Sequence, residues 1–311
     1  MSLAPYVRIV ARGQGRARPL TLEEAFEAMT LILADKAAPE AVGALLMVLR
    51  MRGETPAEIA GFTRALRAFA QAGVAEADLD WPSYAAGRSR GAPLFVLAAN
   101  LVGQAGYRVH LHGWNAHPSQ MVAVADVVDL MGPNVSYDPL QTLCHKAFKI
   151  LKLRDIFGLR SCFNTVLRMW NPSRAPVSVQ GVFHPSYRGL QANAAALLGQ
   201  RDLTIIKGGG GEFERHPSKD TTLFGLRDGT HIAEHCAPLS DQTRRLHDVD
   251  HRVDLCGLWH GAVQDPFAVA TVTGTAALAL WSLKATPTVT AAQDMAAALW
   301  VARHQQESRL A

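Results

Sequence analysis

Two capping boxes lie within the first seventy residues. In a capping box, a Ser or Thr and a Glu three residues later satisfy each other's backbone amides at the start of a helix. Thr21 and Glu24 form the first box, and Thr55 and Glu58 form the second. Apolar residues follow each box at helical spacing, and a third helix is predicted between them, opened by a proline and closed by a glycine. The chain therefore begins as a small helical bundle joined by short turns.

The apolar positions of these helices form a stripe. It offers more apolar surface than a bundle of seventy residues is expected to bury alone, so part of it should meet another segment of the chain and part a second copy. We therefore predict a homodimer. The stripe comprises Leu22, Phe26, Met29, Leu45, Leu46 and Leu49.

The pattern changes after about residue 80, where strands alternate with helices. Such alternation is typical of a mainly parallel sheet covered by helices on both faces. The predicted strands are 107–111, 177–183 and 203–207, and the predicted helices are 93–104, 118–131, 185–198, 266–283 and 289–304.

Residues 140–172 interrupt this alternation, because they are helical again and strongly basic. The simplest prediction is that these residues pack against the N-terminal bundle. The sequence thus predicts an α/β protein with a small helical N-terminal bundle domain, 1–75 with 140–173, and a large α/β domain with a mainly parallel sheet, 76–139 with 174–311.

Composition excludes several classes of protein. No apolar run reaches the roughly 18 residues that span a bilayer, and the N-terminus lacks the apolar region of a secretory signal. The four cysteines form no CxxC pair, which favours reduced thiols in a cytoplasmic protein without membrane contact. Asp248, Asp250 and His251 are metal-ligating types, but residues so close in sequence are more typical of a surface loop, so no metal site is predicted.

Positive charge is concentrated in two segments, although the net charge is only +4. Residues 1–18 hold four arginines and no acid, and residues 141–175 hold seven basic residues and one acid. These segments are either solvated faces or a surface that binds anions such as nucleic acid. The candidate phosphate contacts are Arg8, Arg12, Arg16, Arg18, Lys146, Lys149, Lys152, Arg154, Arg160 and Arg168.

Two further stretches are candidates for binding a phosphate or another ligand. Lys207, Gly208, Gly209, Gly210 and Gly211 follow a predicted strand, and consecutive glycines let backbone amides approach an anion. The alternative is a flexible turn, since neither a Walker A loop nor GxGxxG is present. His112, Gly113 and Asn115 end another strand, where ligands gather in α/β sheets, or they form a capping turn.

Over nearly its whole length the chain resembles the anthranilate phosphoribosyltransferase family, also called glycosyltransferase family 3. The resemblance is carried by 20–67, by ADVVDLMG at 125–132 and by FGLRSCFNTVLRMWNP at 157–172. It implies a small helical domain, a large α/β domain and a dimer formed through the helical part. The substrate-side arginine of the family matches Arg154.

The motifs that bind phosphoribosyl pyrophosphate in that family are changed here. Ser83 to Gly87 replaces the GTGGD loop, and Leu111-His112-Gly113-Trp114 replaces Lys-His-Gly-Asn. The Asp-Glu pair that holds magnesium falls on Phe213-Glu214, which leaves one carboxylate. A pyrophosphate leaving group needs metal charge and donors in the transition state, so ordinary catalysis is not expected.

The same changes resemble the YbiB branch of the family, which implies nucleic-acid binding. Arg12 to Arg18, His184-Pro-Ser-Tyr187 and Gly211-Glu-Phe carry this closer resemblance. The leading hypothesis is a catalytically degenerate paralogue that binds single-stranded DNA or RNA, with Trp114 or Phe148 as stacking platforms.

Two other hypotheses remain open at this stage, so whether the chain is an enzyme is undecided. One is an active phosphoribosyl or glycosyl transferase with a rebuilt site that uses His112, Asn115, Arg154 and the glycine loop. The other is a non-catalytic protein that binds a phosphorylated metabolite. No cofactor is expected, except magnesium if the transferase hypothesis holds.

Overall fold

The computed structural model describes residues 2–13, 15–70, 73–84, 92–114, 124–242, 244 and 253–310, with side chains described up to residue 303. Within them the chain forms a helical lobe and a larger α/β lobe, which confirms the predicted fold class. Asn115, Asp248, Asp250 and His251 lie outside the described residues.

The N-terminal part of the helical lobe consists of α1 (Ala4–Ala11), α2 (Leu22–Leu33), α3 (Pro39–Arg52) and α4 (Pro56–Phe69). Both predicted capping boxes form, at the first turns of α2 and α4. Gly53 ends α3 with a φ of +86°, a conformation that favours glycine. The sequence did not predict α1, which is short and carries no capping residue.

Close packing of α2 on α4 holds this lobe together. A Cβ at Gly61 would overlap the backbone oxygen of Leu22, so only glycine permits the observed approach. Glu58 of the second capping box is fully buried, and its carboxylate also accepts hydrogen bonds from the Leu20 amide at 2.9 Å and from Arg52 at 2.5 Å.

Residues 140–168 form three further helices, α6 (Leu140–Leu143), α7 (His145–Phe157) and α8 (Phe163–Arg168). Their apolar residues belong to the same hydrophobic core as those of α2, α3 and α4. Phe157 of α7 lies against Gly43 of α3. The basic segment is therefore attached to the N-terminal helices.

The larger lobe is built on one seven-stranded sheet. The strand order is β3-β2-β1-β4-β5-β6-β7, in which the first five are parallel and the last two run antiparallel. The strands are β1 (Leu79–Ser83), β2 (Val109–Gly113), β3 (Val135–Pro139), β4 (Val177–Val182), β5 (Asp202–Lys207), β6 (Thr221–Arg227) and β7 (Thr230–Cys236).

Helices cover this sheet. The longest buried one, α11, is apolar all round and packs against α5, α12 and strands β4 and β5, forming a second hydrophobic core. Helix α9 packs between the sheet and α4, and so joins the two lobes. The covering helices are α5 (Leu94–Gln104), α9 (Ser186–Leu197), α10 (Leu255–His260), α11 (Pro266–Ser282) and α12 (Val289–Leu310).

The sequence missed the hairpin of β6 and β7. Its turn consists of Asp228 and Gly229, both at positive φ, which is the geometry that connects adjacent antiparallel strands. The helix predicted at 118–131 is different in its described part, where Val124–Leu130 forms a 3-10 helix. Strands β1 and β3 were also missed, because each is short and contains a proline.

Several expectations about the surface can be compared with the structure. Met29, Leu45, Leu46 and Leu49 of the apolar stripe are fully buried within one chain, and only Leu22 and Phe26 remain partly exposed. The four cysteines are free thiols. No described helix combines the length and apolarity needed to cross a bilayer.

Candidate functional site

The candidate site lies where the two lobes meet at one edge of the sheet. The parallel strands β1, β2, β4 and β5 all end at this edge, which is the usual ligand-binding edge of an open α/β sheet. Tyr84 and Val182 at the strand ends share a hydrophobic core with the helical lobe. Side chains from both lobes therefore converge here.

Four arginines converge at this junction, and we call them the arginine cluster. Arg50 comes from α3, Arg154 from α7, Arg160 from the α7–α8 loop and Arg168 from the end of α8. Burial and the three other guanidinium groups lower the pKa of Arg160 from its ordinary 12.5 to about 10. The site is thus a concentration of positive charge that water solvates poorly.

The four arginines of the cluster differ in how deeply they are buried. Arg50 is exposed, Arg154 and Arg160 are half-buried, and Arg168 is buried. Burial also lowers the pKa of Arg168, although Glu212 opposes the shift. The Nη1 atom of Arg154 is buried without a hydrogen-bond partner. An unpaired buried guanidinium nitrogen is costly, so an anion here would relieve an existing penalty.

Two polar side chains from neighbouring elements line the mouth of the cluster. The Tyr187 hydroxyl lies 3.5 Å from Nη1 of Arg50 and 3.4 Å from a carboxylate oxygen of Glu54. Burial raises the pKa of Glu54. Tyr187 therefore connects α9 to α3 and the α3–α4 turn.

The deep end of the cluster meets the glycine loop. Nη2 of Arg168 donates to the carbonyl oxygen of Gly211 at 3.4 Å. Gly211 has a φ of +89° and lies against the Cβ and backbone nitrogen of Phe183, a residue that is 50% exposed. An exposed aromatic residue thus adjoins the glycine that Arg168 contacts, and the sequence analysis did not single it out. Its position at the end of a strand was the available signal.

The glycine loop presents fewer free amides than its composition suggested. The amide of Gly209 donates to the Glu214 carbonyl at 2.9 Å, and that of Gly211 donates to the Gly208 carbonyl at 3.2 Å. These two N–H groups are therefore already used within the loop. Lys207 is exposed at the end of β5.

His112, Gly113 and Ser83 are buried at the strand ends and have structural partners. Nδ1 of His112 lies 2.9 Å from the Tyr84 hydroxyl, and Nε2 lies 3.2 Å from Oδ1 of Asp80. A Cβ at Gly113 would overlap the carbonyl oxygen of Ser83, so glycine is needed for packing. His112 is 0% and Ser83 is 3% exposed, so neither side chain reaches solvent, and ligand binding by these residues stays a prediction.

Apart from the half-buried Arg154 and Arg160 of the cluster, the predicted basic residues separate into three groups. Arg8, Arg12, Arg16 and Lys149 are exposed, and among the described residues no carboxylate lies within ion-pair distance of them. The second group already forms ion pairs, which are Arg18 with Glu24, Lys146 with Asp35, and Lys152 with Asp155. The third group is Arg168 alone, whose side chain is buried and does not lie on the surface.

The aromatic residues suggested as stacking platforms pack on each other. Trp114 and Phe148 meet edge to face with 4.9 Å between ring centroids, and both are partly buried against the helical core. Phe183 is the more accessible ring at this edge.

The residues present do not fit the magnesium pair that the family resemblance implies. Phe213 is fully buried with its ring edge-on to Trp81 at 5.4 Å. Glu214 is also fully buried, and its Oε2 accepts a hydrogen bond from the Phe95 amide at 3.0 Å. Among the described residues, no group of three or more His, Cys, Asp or Glu side chains is placed to hold a metal ion.

A helical lobe on a largely parallel α/β lobe, with the ligand edge between them, defines a class of two-lobed transferases. Residues 5–70 match the glycosyl transferase family helical bundle domain. The anthranilate phosphoribosyltransferase of Geobacillus kaustophilus (strain HTA426) is 31% identical over 235 residues, covering 70% of this chain and 68% of the relative. The Roseiflexus sp. (strain RS-1) enzyme is 32% identical over 231 residues, covering 69% and 67%. The chain belongs to the anthranilate phosphoribosyltransferase family.

Solved structures share the whole fold. The Thermus thermophilus anthranilate phosphoribosyltransferase superimposes with a TM-score of 0.76 at 22% identity, over 96% of this chain and 94% of that one. The Saccharomyces cerevisiae enzyme, in complex with PRPP and Mg, gives a TM-score of 0.72 at 16% identity, over 94% and 92%.

Proposed function

We propose that this member of the family binds single-stranded nucleic acid at the junction of its lobes and does not transfer phosphoribosyl groups to anthranilate. The observation that carries the proposal is that Phe183, an exposed aromatic residue, adjoins Gly211, whose carbonyl oxygen is bound by Arg168 of the arginine cluster. Single strands are bound by combining positive charge along the backbone with aromatic rings on which bases stack. In this structure the positive charge and the aromatic residue both adjoin Gly211.

The surface charge supports the same function. Arg12, Arg16 and Lys149 keep their side chains in solvent on the helical lobe, which also supplies the four cluster arginines. Lysine and arginine side chains that face solvent bind phosphates without reading sequence. We therefore expect binding with little sequence preference.

The loss of transfer is supported by the site residues. At the two positions assigned to magnesium, one is a buried phenylalanine and the other is a buried carboxylate bonded to a backbone amide. Under assay with anthranilate, phosphoribosyl pyrophosphate and magnesium, we expect no turnover above background. Turnover on the order of 1 per second, ordinary for an enzyme, would contradict this part of the proposal.

The binding part is tested by fluorescence anisotropy with labelled oligonucleotides. The parent should bind, and Phe183→Ala should weaken binding by roughly fivefold to a hundredfold, the range for loss of one stacked base. Leu197→Ala is the matched control, because Leu197 is similarly exposed at 53% but lies at the end of α9. Equal binding by both variants would remove Phe183 from the site.

A phosphorylated metabolite is the rival ligand, and the arginine cluster would suit it too. Titration with phosphoribosyl pyrophosphate in parallel distinguishes the two. If that compound binds and oligonucleotides do not, the nucleic-acid proposal is wrong.

A further inference from the structure

A cleft of about 1100 Å³ lies between the two lobes, at the edge of the sheet opposite the candidate site. On the α/β side it is lined by Asp78, Arg108 and Pro176, which directly precede strands β1, β2 and β4. On the other side it is lined by Arg64 and Arg67 of α4. Sites for small organic molecules usually measure about 300–1000 Å³, so the cleft has room for one.

Among the described residues that line the cleft, the charged ones are four arginines and two carboxylates. Two of the arginines already form ion pairs, Arg64 with Glu23 and Arg108 with Asp78 at 2.9 Å. Glu76, the second lining carboxylate, is exposed, and its charge acts on Arg108. Within the described part of the chain, no ion pair joins a carboxylate to the two remaining arginines.

The first of these two, Arg67, is held in one orientation with part of its guanidinium open. Nε donates to the Trp170 carbonyl at 2.7 Å, and Nη2 donates to the Met169 carbonyl at 2.8 Å. Nη1 donates to no described acceptor and is not fully buried. Burial lowers the pKa of Arg67, although the charge of Asp80, which lies beyond ion-pair distance, opposes the shift. Neutral carbonyls thus preorganise this guanidinium and leave its charge for an anion to neutralise.

The second, Arg174, has a φ of +54°, which is strained for a residue other than glycine. Asn171 fixes this turn, because its side chain accepts from the Ala175 amide at 2.9 Å and donates to the Ala175 carbonyl at 2.8 Å. Arg174 is exposed, and its charge contributes to the lowered pKa of Arg67. A strained turn therefore holds two like charges near each other at one cleft, an arrangement that a bound anion would stabilise.

We propose that this cleft binds the phosphate group of a small phosphorylated metabolite through Arg67 and Arg174. A phosphomonoester carries nearly two negative charges at neutral pH, which match the two arginines, and the planar guanidinium suits its oxygens. The rest of the cleft has room for the organic part. The proposal does not depend on nucleic-acid binding, because the candidate site lies at the opposite edge of the sheet.

Isothermal titration calorimetry with four compounds tests the proposal. Glycerol 3-phosphate should bind at least about tenfold tighter than dimethyl phosphate, a diester with a single negative charge. It should also bind tighter than inorganic phosphate, which lacks an organic part, and tighter than succinate, whose two charges lie on separate carboxylates. Absence of glycerol 3-phosphate binding, or equal affinity for any of the other three compounds, would overturn the proposal.

A glycine variant separates ligand binding from a structural role of the strained arginine. Arg174→Gly should weaken glycerol 3-phosphate binding by about tenfold or more. Its urea midpoint should stay the same or rise, because glycine adopts this φ without strain. Lys284→Gly is the matched control, since Lys284 is a cation at a φ of +61° that does not line the cleft, and its affinity should equal that of the parent. Unchanged affinity in Arg174→Gly would overturn the assignment.

A single strand is the other source of phosphate groups. An excess of unphosphorylated oligonucleotide should not displace glycerol 3-phosphate, because the strand is expected at the opposite edge of the sheet. Displacement would show that the cleft belongs to the nucleic-acid surface, and the metabolite proposal would be overturned. If no oligonucleotide binds at all, the proposed function fails while the metabolite proposal is still decided by the four compounds.

Discussion

Nε2 of His112 lies 3.2 Å from Oδ1 of Asp80, and both side chains are completely buried. The two atoms are close but not aligned for a hydrogen bond. The other carboxylate oxygen of Asp80, Oδ2, accepts a hydrogen bond from the Ser178 hydroxyl at 2.8 Å. The other ring nitrogen of His112, Nδ1, lies 2.9 Å from the Tyr84 hydroxyl. This buried polar group joins β1, β2 and β4 directly beneath the edge that carries the candidate site.

Removing Asp80 should destabilise the protein strongly. Asp80→Ala removes the acceptor of the Ser178 hydroxyl and the buried charge beside the His112 ring, so we expect a loss of about 2–4 kcal/mol in the free energy of unfolding. Asp78→Ala is the control, since Asp78 pairs with Arg108 near the surface and should cost at most about 1 kcal/mol. Urea denaturation measures both. Equal losses of unfolding free energy in Asp80→Ala and Asp78→Ala would show that burial of Asp80 does not determine the cost of removing it.

The two capping boxes should differ in their contribution to stability. Glu58 is fully buried and also bonds Arg52 and the Leu20 amide, whereas Glu24 is partly exposed and bonds Arg18. Glu58→Ala should therefore cost about 3 kcal/mol or more, and Glu24→Ala only about 1 kcal/mol. Thermal unfolding of the two variants checks the difference, and similar values would contradict it.

Acid should weaken the first capping box. Arg18, and secondarily the Thr21 amide, lower the pKa of Glu24 from its ordinary 4.5 to about 2. The folded-state pKa is depressed, so this carboxylate stabilises the fold above about pH 4.5 and loses that contribution as the pH falls towards 2. The pair is partly exposed, so the effect should stay below about 1 kcal/mol.

Arg18→Ala provides the comparison for the acid prediction. Its stability should fall less than that of the parent between pH 4.5 and 2, because the Glu24 pKa is no longer held down. Parallel stability curves for parent and variant across this window would be the contrary result.

The salt dependence of single-strand binding should distinguish the cations that are free from those already in ion pairs. Affinity for single strands should fall with a logarithmic slope of about −0.7 per phosphate contact. Arg12→Ala with Arg16→Ala should flatten that slope by about 1.4, and Lys149→Ala by about 0.7. Arg18→Ala should change it little, because Glu24 already occupies that guanidinium. A slope that none of these variants alters would exclude Arg12, Arg16 and Lys149 from the contact surface.

Self-association should involve the exposed apolar residues of the helical lobe. Met51 is 81% and Ile156 is 79% exposed, in contrast to the buried stripe that first suggested a dimer. We expect a homodimer at micromolar concentration in light scattering, converted to monomer by Met51→Glu with Ile156→Glu. Val301→Glu is the control, because Val301 is 77% exposed on α12. A monomeric parent would contradict the expectation.

Local signals in the sequence predicted most helices. The capping residues Thr21 and Thr55, the proline that opens α3 and the glycine that ends it act within a few residues, so they can be read without knowing the fold. The alternation of strands and helices that predicts the parallel sheet can also be read without knowing the fold. Strands β1 and β3 were missed because each contains a proline, which weakens the strand pattern, and each depends on pairing with neighbours far along the chain.

The sequence by itself determined the two lobes, the capped helices and the presence of many cations. Only the tertiary structure decided which of those cations are free. Arg18 and Lys146 carry the same charge as Arg12 and Lys149, but carboxylates that meet them across turns or helices already neutralise them. Charge is a property of a residue, whereas its desolvation and its partners depend on segments that come together only on folding, as with Arg168 and Gly211.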